Sequence, residues 1–165
     1  MLRINKLTDY GTIILALMAQ DPHGIYSAAD IARRINIALP TVGKVLKTLA
    51  RAEIVTATRG SQGGYSLSRP PSMISIAQII DALEEQPFGL TECTSLAGLC
   101  TQEGHCRVRA NWMRINQSVR VALEELTLGD LVADPVQGIE TGTQKVLIHE
   151  MDTKSRRKTH EHGHP

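Results

Sequence analysis

Three patterns in this 165-residue sequence predict a mainly α fold. They are two short amphipathic segments around a tight turn, a β-branched run facing a glycine-rich loop, and a heptad-like apolar stripe further on. Together they describe a winged helix-turn-helix with a two-stranded wing, plus a long carboxy-terminal dimerisation helix.

The first helix is read between Thr8 and Gln20. Tyr10, Ile13, Ile14, Leu17 and Met18 follow the i, i+3, i+4, i+7 spacing of one helix face, with Thr8 as N-cap and Asp21-Pro22-His23-Gly24 as the stop. A second helix opens at Ser27, with Asp30 three residues on as a capping-box variant, and runs through Ile31, Ala32 and Ile35. In the third, Pro40 suits the first helical position, where its missing N–H is not needed. Val42, Val45, Leu46 and Leu49 form its buried stripe, and Thr41, Gly43, Lys44, Lys47 and Arg51 its free face. Gly43 inside a helix costs about 1 kcal/mol relative to alanine. Close approach to DNA and close packing against the first helix both account for it.

Next, Ile54 to Thr58 and Tyr65 to Ser68 read as two strands around the loop Arg59-Gly60-Ser61-Gln62-Gly63-Gly64. Glycines let such a loop lie along a groove, with Arg59 aimed at phosphate or the minor groove. On this reading Thr41 and Lys44 are the candidates for base edges, while Lys47, Arg59 and Gln62 are placed for backbone or groove contact.

The net charge of +1 hides an asymmetry. Residues 1–69 carry nine Lys/Arg against four Asp/Glu, and residues 70–133 carry four against eight. A basic front and an acidic middle suit a nucleic-acid-binding module joined to a segment that avoids nucleic acid. No apolar run reaches 18 residues and no secretory leader is evident, so a cytoplasmic chain without a membrane partner is expected. In that setting the three cysteines are ligands or reactive thiols rather than a disulfide framework.

A fourth helix opens at Ser75, with Ile76, Ile79, Ile80 and Leu83 on one face, and breaks at Pro87 and Gly89. All three cysteines then fall in one loop as C-x6-C-x5-C: Cys93, Cys100 and Cys106. Polarisable thiolates in a loop suit an iron–sulfur cluster, one ligand short of the usual four. A zinc site using the same cysteines with His105 is a second reading, although the short C-x2-C knuckle is absent. A clusterless thiol switch, with Arg107 and Arg109 favouring the thiolate, is a third. From Gly104 to about Glu125 one long helix carries Val108, Trp112, Ile115, Val119, Leu123 and Leu126, close to a heptad seam and suited to a homodimer. Thr127 to Leu131 reads as the cap and start of a short last helix. The organisation expected is a winged-helix DNA-binding domain over 1–84, a cluster-binding loop over 85–106, a dimerisation helix and cap helix over 104–133, and a disordered tail over 134–165. That tail includes His160, His162 and His164.

Five features in order, Lys6-Leu7-Thr8-Asp9-Tyr10, Arg59-Gly60 with Gly63-Gly64-Tyr65, the three-cysteine loop, Arg109-Ala110-Asn111-Trp112 and Thr127-Leu128-Gly129-Asp130-Leu131, cover residues 1–133. They resemble the winged-helix regulators typified by the iron–sulfur cluster assembly repressor and the nitric-oxide-sensing repressor, with the regulators of the Suf assembly operon as the closest branch. The resemblance implies a dimeric repressor of cluster-assembly genes on a double-stranded operator, with a labile cluster, 2Fe–2S before 4Fe–4S, as sensor. In the assembly repressor the fourth ligand is a histidine three residues after the last cysteine; here that position is Arg109. In the nitric-oxide sensor it is an aspartate early in the first helix of the other subunit, which Asp9 matches, with His105 and Glu92 as rivals by proximity. A cysteine-based redox or metal-handling enzyme is the alternative from another class. Neither a nucleophile–base pair nor a nucleotide-binding glycine motif after a strand supports it.

Overall fold

The computed structural model describes residues 5–60, 63–84 and 88–133. Its elements, in chain order, are α1 (Lys6–Ala19), α2 (Ala28–Ile35), α3 (Leu39–Arg51), β1 (Val55–Thr58), β2 (Gly64–Leu67), a 3-10 turn (Pro71–Met73), α4 (Ile76–Leu83), α5 (Glu92–Ser95), α6 (Arg109–Glu125) and α7 (Leu128–Val132). Gln62, Pro87 and the tail from residue 134 lie outside the described residues.

The cap of α1 is Asn5 rather than Thr8. Its Oδ1 accepts from the Leu7 and Thr8 N–H groups at 2.7 and 2.9 Å. Thr8 is instead buried, and its hydroxyl donates to Glu84 Oε1 at 2.6 Å. Glu84, just past the end of α4, also accepts from the Asn5 backbone N–H and side-chain amide at 3.1 and 2.8 Å. One carboxylate thus pins the start of α1 to the end of α4 and offsets the positive end of the α1 dipole.

The buried arc of α1 is also rotated from the one expected. Ile14, Leu15 and Met18 are fully buried, whereas Ile13 is 41% exposed. Gly11 is the reason. It sits against α4 so closely that an added Cβ would collide with Leu83 Cδ1, so the tight face of the helix runs through Gly11 and Leu15 rather than through Ile13.

The helix-turn-helix follows the sequence closely. Ser27 caps α2, its hydroxyl accepting from the Asp30 N–H at 3.0 Å. Asn36, in the left-handed region at φ 54°, ends it. Leu39 is the first residue of α3 and Pro40 the second, one position later than expected. Val42, Val45, Leu46 and Leu49 are all buried.

In the wing, β1 and β2 pair antiparallel, Val55 opposite Leu67 and Thr58 opposite Gly64. Both strands start one residue away from their expected ends, and Ile54 is buried at the wing's root. Across the other edge of β2, Tyr26 and Tyr65 exchange two N–H···O bonds of 2.8 Å. That bridge passes close to Gly64, where a Cβ would stand 2.7 Å from the Tyr26 carbonyl oxygen. Arg69 fastens the far side: its guanidinium donates to the Glu53 and Met73 carbonyls and to Gln78 Oε1.

Ser75 and Gln78 form a full capping box on α4. The long helix α6 begins at Arg109, later than the expected Gly104, and leans on α4 through Arg120. That guanidinium grips both oxygens of Asp81 at 2.7 Å and donates to Glu124 at 2.7 Å. Asp81 first and Glu124 second hold its pKa above the ordinary value. The chain then returns to the head. Ile76 N–H donates to the Leu126 carbonyl at 2.9 Å and Leu128 N–H to the Ile74 carbonyl at 2.8 Å. Leu128 is fully buried in the same core as Ile14, Leu46 and Ile74. Residues through Ala133 accordingly form one compact unit. Thr127 and Asp130 cap α7 reciprocally, and the Thr127 hydroxyl and N–H hold the Asp130 carboxyl below its ordinary pKa.

No residue of α6 is buried. Along its expected seam, Val119 and Leu123 are half-buried, while Val108, Trp112, Ile115 and Leu126 are exposed.

Candidate nucleic-acid interface and cysteine loop

Burying Val42, Val45, Leu46 and Leu49 turns the opposite side of α3 outward. Lys44, Lys47 and Arg51 are exposed there, and Thr41 is half-buried near the start of the helix. None of the three cations is ion-paired with a described residue, so their charge is directed at solvent. Lys44 also lines a shallow cleft with Leu7, Leu83 and Glu84, which places its stem toward the α1–α4 junction. Arg59 is exposed at the end of β1. Gly60 takes φ +123°, and the Gly63 N–H closes the wing turn on the Gly60 carbonyl at 3.0 Å. Of the five expected DNA contacts, Gln62 is the one outside the described residues; the other four lie on α3 and the root of the wing tip.

The two accounts of Gly43 separate here. A Cβ added to it would have no atom within 4 Å, so packing against α1 does not explain the glycine. What remains is an unobstructed stretch of helix between Thr41, Lys44 and Lys47. Gly43→Ala is expected to stabilise the free protein by about 1 kcal/mol through helix propensity. It should weaken operator binding at the same time, because a methyl group fills the space between helix and groove. Thermal melts and operator titrations on one preparation check both signs; equal operator affinity would show that the notch is not used.

Lys47→Ala should weaken binding to all duplexes alike and lower the slope of log K against log salt by about one unit. Loss confined to the operator would instead assign Lys47 to base readout.

The cysteine loop is more structured than its sequence suggests. Cys93 lies in α5, a single turn capped by Thr91, whose hydroxyl stands 3.3 Å from Cys93 Sγ. Leu90 N–H donates to Asn116 Oδ1 at 3.0 Å, which anchors the loop entrance on α6. Further on, Glu103 accepts from the Gly98 N–H at 2.7 Å and from Arg109 at 2.6 Å. A carboxylate and a guanidinium therefore clasp the segment that holds Cys100. Nothing in the residue types announced these pairings, because Glu84, Glu103 and Arg109 find partners only through the path of the chain.

Cys93, Cys100 and Cys106 are all free thiols and all half-buried. Asp9 is exposed in the first turn of α1, and Glu92 and His105 are exposed on the loop. Among the described residues, no three His, Cys, Asp or Glu side chains converge as a metal-holding group. What the loop offers is three free, half-buried thiols close together in sequence, the residue type that holds a thiolate-bound centre. No helix among the described residues is long and apolar enough to cross a membrane.

A family model described as Rrf2, iron-dependent transcriptional regulator, matches residues 4–134. Among solved structures, CymR of B. subtilis, described as the global cysteine regulator, is similar at 30% identity over 80% of this chain and 97% of its own, with a TM-score of 0.62. A transcriptional regulator from Listeria innocua is similar at 29% identity, covering 84% of this chain and 92% of its own, with a TM-score of 0.65. IscR of T. potens is similar at 26% identity over 83% and 92%, with a TM-score of 0.61.

Proposed function

Since the chain belongs to the Rrf2 family of transcriptional regulators, we propose that it is a dimeric repressor of Suf iron–sulfur assembly genes that senses cluster status. The observation that carries this reading is the loop of three free, half-buried thiols built onto a winged-helix head. The similarity to IscR supports an iron–sulfur centre, and the Suf assignment rests on the five sequence features that resemble that branch.

Cys93, Cys100 and Cys106 would hold the cluster, with Asp9 of the partner subunit ahead of His105 and Glu92 as the fourth ligand. When bound, a labile cluster, 2Fe–2S before 4Fe–4S, supplies a cross-link that oxidants or iron scarcity remove. Asp9 lies in the first turn of α1, and α1 packs on α3, so restraint of Asp9 restrains the reading helix. Trp112, Ile115 and their neighbours on α6 expose the apolar stripe through which a second copy would pair. Two heads related by a two-fold axis then read the two halves of a near-palindromic operator. DNA and cluster influence each other only as far as each binds better to a state the other favours. Repression when clusters are plentiful, and release when they are lost, is the expected output.

A second reading is favoured by the thiols not converging within one protomer, and by the similarity to a cysteine regulator. There the three thiols act as a metal-free redox switch. Purification without oxygen separates the two. Brown protein with acid-labile sulfide, whose operator affinity changes on cluster removal, supports the cluster reading. Colourless, metal-free protein whose affinity responds to a thiol oxidant supports the switch. Colourless protein with stoichiometric zinc would replace both with a zinc-stabilised regulator.

A further inference from the structure

The reading helix α3 begins with an apolar tip. Ala38, Leu39 and Pro40 are exposed in succession there, Leu39 at 49%. Periodicity alone would bury Leu39, which stands three residues before Val42 and seven before Leu46, both fully buried. The structure leaves it out. Ile35 and Ile37 pack against the core ahead of α3, so the helix-turn-helix closes without Leu39. A lone exposed leucine is ordinary on a protein surface, and its position gives this one meaning. Leu39, Gly43 and Lys47 follow at i, i+4 and i+8, along one face of α3. Gly43 lies about 6 Å along the axis from Leu39, at about 1.5 Å per residue. A Cβ added to it would meet no atom within 4 Å. Beyond it Lys47 and Arg51 are exposed, and none of residues 31–52 is acidic. The face therefore runs from an uncharged tip, over an open notch, to two cations.

We propose that Leu39 reads sequence, by seating its methyl groups against the 5-methyl group of a thymine in the major groove of the operator. This rests on the operator-binding reading above and is independent of the cluster. In helix-turn-helix proteins the first residues of the reading helix meet the base edges. An apolar side chain there neither donates nor accepts a hydrogen bond. The one base feature it favours in the major groove is the thymine methyl, which no other base carries. The notch at Gly43 lets the helix come close enough for a side chain as short as leucine to reach that methyl. Lys47 and Arg51, further along, are placed for phosphates, which position the helix without regard to sequence. Leu39 thus sets specificity at the end of the helix where charge is absent.

Removing one methyl group from either side of the contact tests this. Full-length wild-type protein, purified without oxygen, first selects a preferred duplex from a random-sequence library. Deoxyuridine then replaces each thymine of that duplex singly, deleting only its methyl group. At one thymine per half-site the replacement should weaken wild-type binding about four-fold, the effect of one methyl-sized group left in water. Leu39→Ala should bind the unmodified duplex on the order of ten-fold more weakly and lose the response to deoxyuridine at that same position. Its affinity for a random duplex, the salt dependence of that affinity and its thermal melt should match the wild type, because neither a charge nor a core contact has changed. Wild-type operator affinity in Leu39→Ala, or a deoxyuridine response that persists in it, would overturn the proposal. So would an equal loss on operator and random duplex, which would assign Leu39 to the backbone. All three leave operator binding intact. Wild-type protein that enriches no sequence would end the operator reading itself and the proposal with it.

Discussion

Cys100→Ala, purified without oxygen, is expected to be colourless and free of acid-labile sulfide, and to bind its operator with an affinity altered on the order of 5- to 150-fold relative to the loaded wild type. That range follows from a coupling of about 1–3 kcal/mol between two ligand sites. Cys100 is half-buried, outside the hydrophobic core, and lies within the segment clasped by Glu103. The substitution should therefore change unfolding free energy by no more than about 0.5 kcal/mol, the usual range for surface positions. An altered affinity then cannot be blamed on a damaged head. Sulfide assay, visible spectrum, denaturant melt and operator gel shift on one preparation give the full answer. Unchanged affinity would remove the sensing mechanism and leave DNA binding standing.

The largest expected effect on stability lies at the other end of the described chain. Leu128 is fully buried, and its backbone N–H is bonded to Ile74. Leu128→Ala should cost about 2–5 kcal/mol, the transfer of the lost methyl groups plus the cavity they leave. Leu131, one turn along the same helix, is 50% exposed and supplies the control, with a change of no more than about 0.5 kcal/mol expected from Leu131→Ala. Because α7 packs against α1 and the 3-10 turn, the loss at Leu128 should appear as lower cooperative stability of the whole unit rather than fraying of its end. Equal, small effects at both positions would mean that α7 merely rests on the head.

Much of the fold was legible residue by residue. Ser27, Ser75 and Thr127 announce helix starts because a short polar side chain followed by a first turn satisfies orphan N–H groups locally. The stripe of α3 was readable for the same kind of reason: a 3.6-residue period with one wet face has one way to pack. The wing was legible from β-branched residues on either side of glycines. Thr8 was misread because the local rule admits both Asn5 and Thr8, and the choice falls to Glu84, 76 residues away from Thr8. Ile13 was misplaced because periodicity does not reveal that Gly11 lets α4 approach one side of α1 more closely than another. The start of α6 was set too early because the clasp of Glu103 on Gly98 and Arg109 holds that stretch in turns.

The candidate site divides along the same line. The sequence by itself determined which residue types are available: a basic free face on α3, glycines at the wing tip and three thiols in one loop. Those depend on short-range order along the chain, and spacing records it. Only the tertiary structure decided that Gly43 faces open space, that Glu103 clasps Gly98 and Arg109 around Cys100, and that Leu128 returns to the core of the head. Each of these is a meeting of distant segments, set by how volumes and hydrogen bonds close together in three dimensions. The winged helix could be read from pattern, whereas its attachment to the cysteine loop had to be seen in the packing.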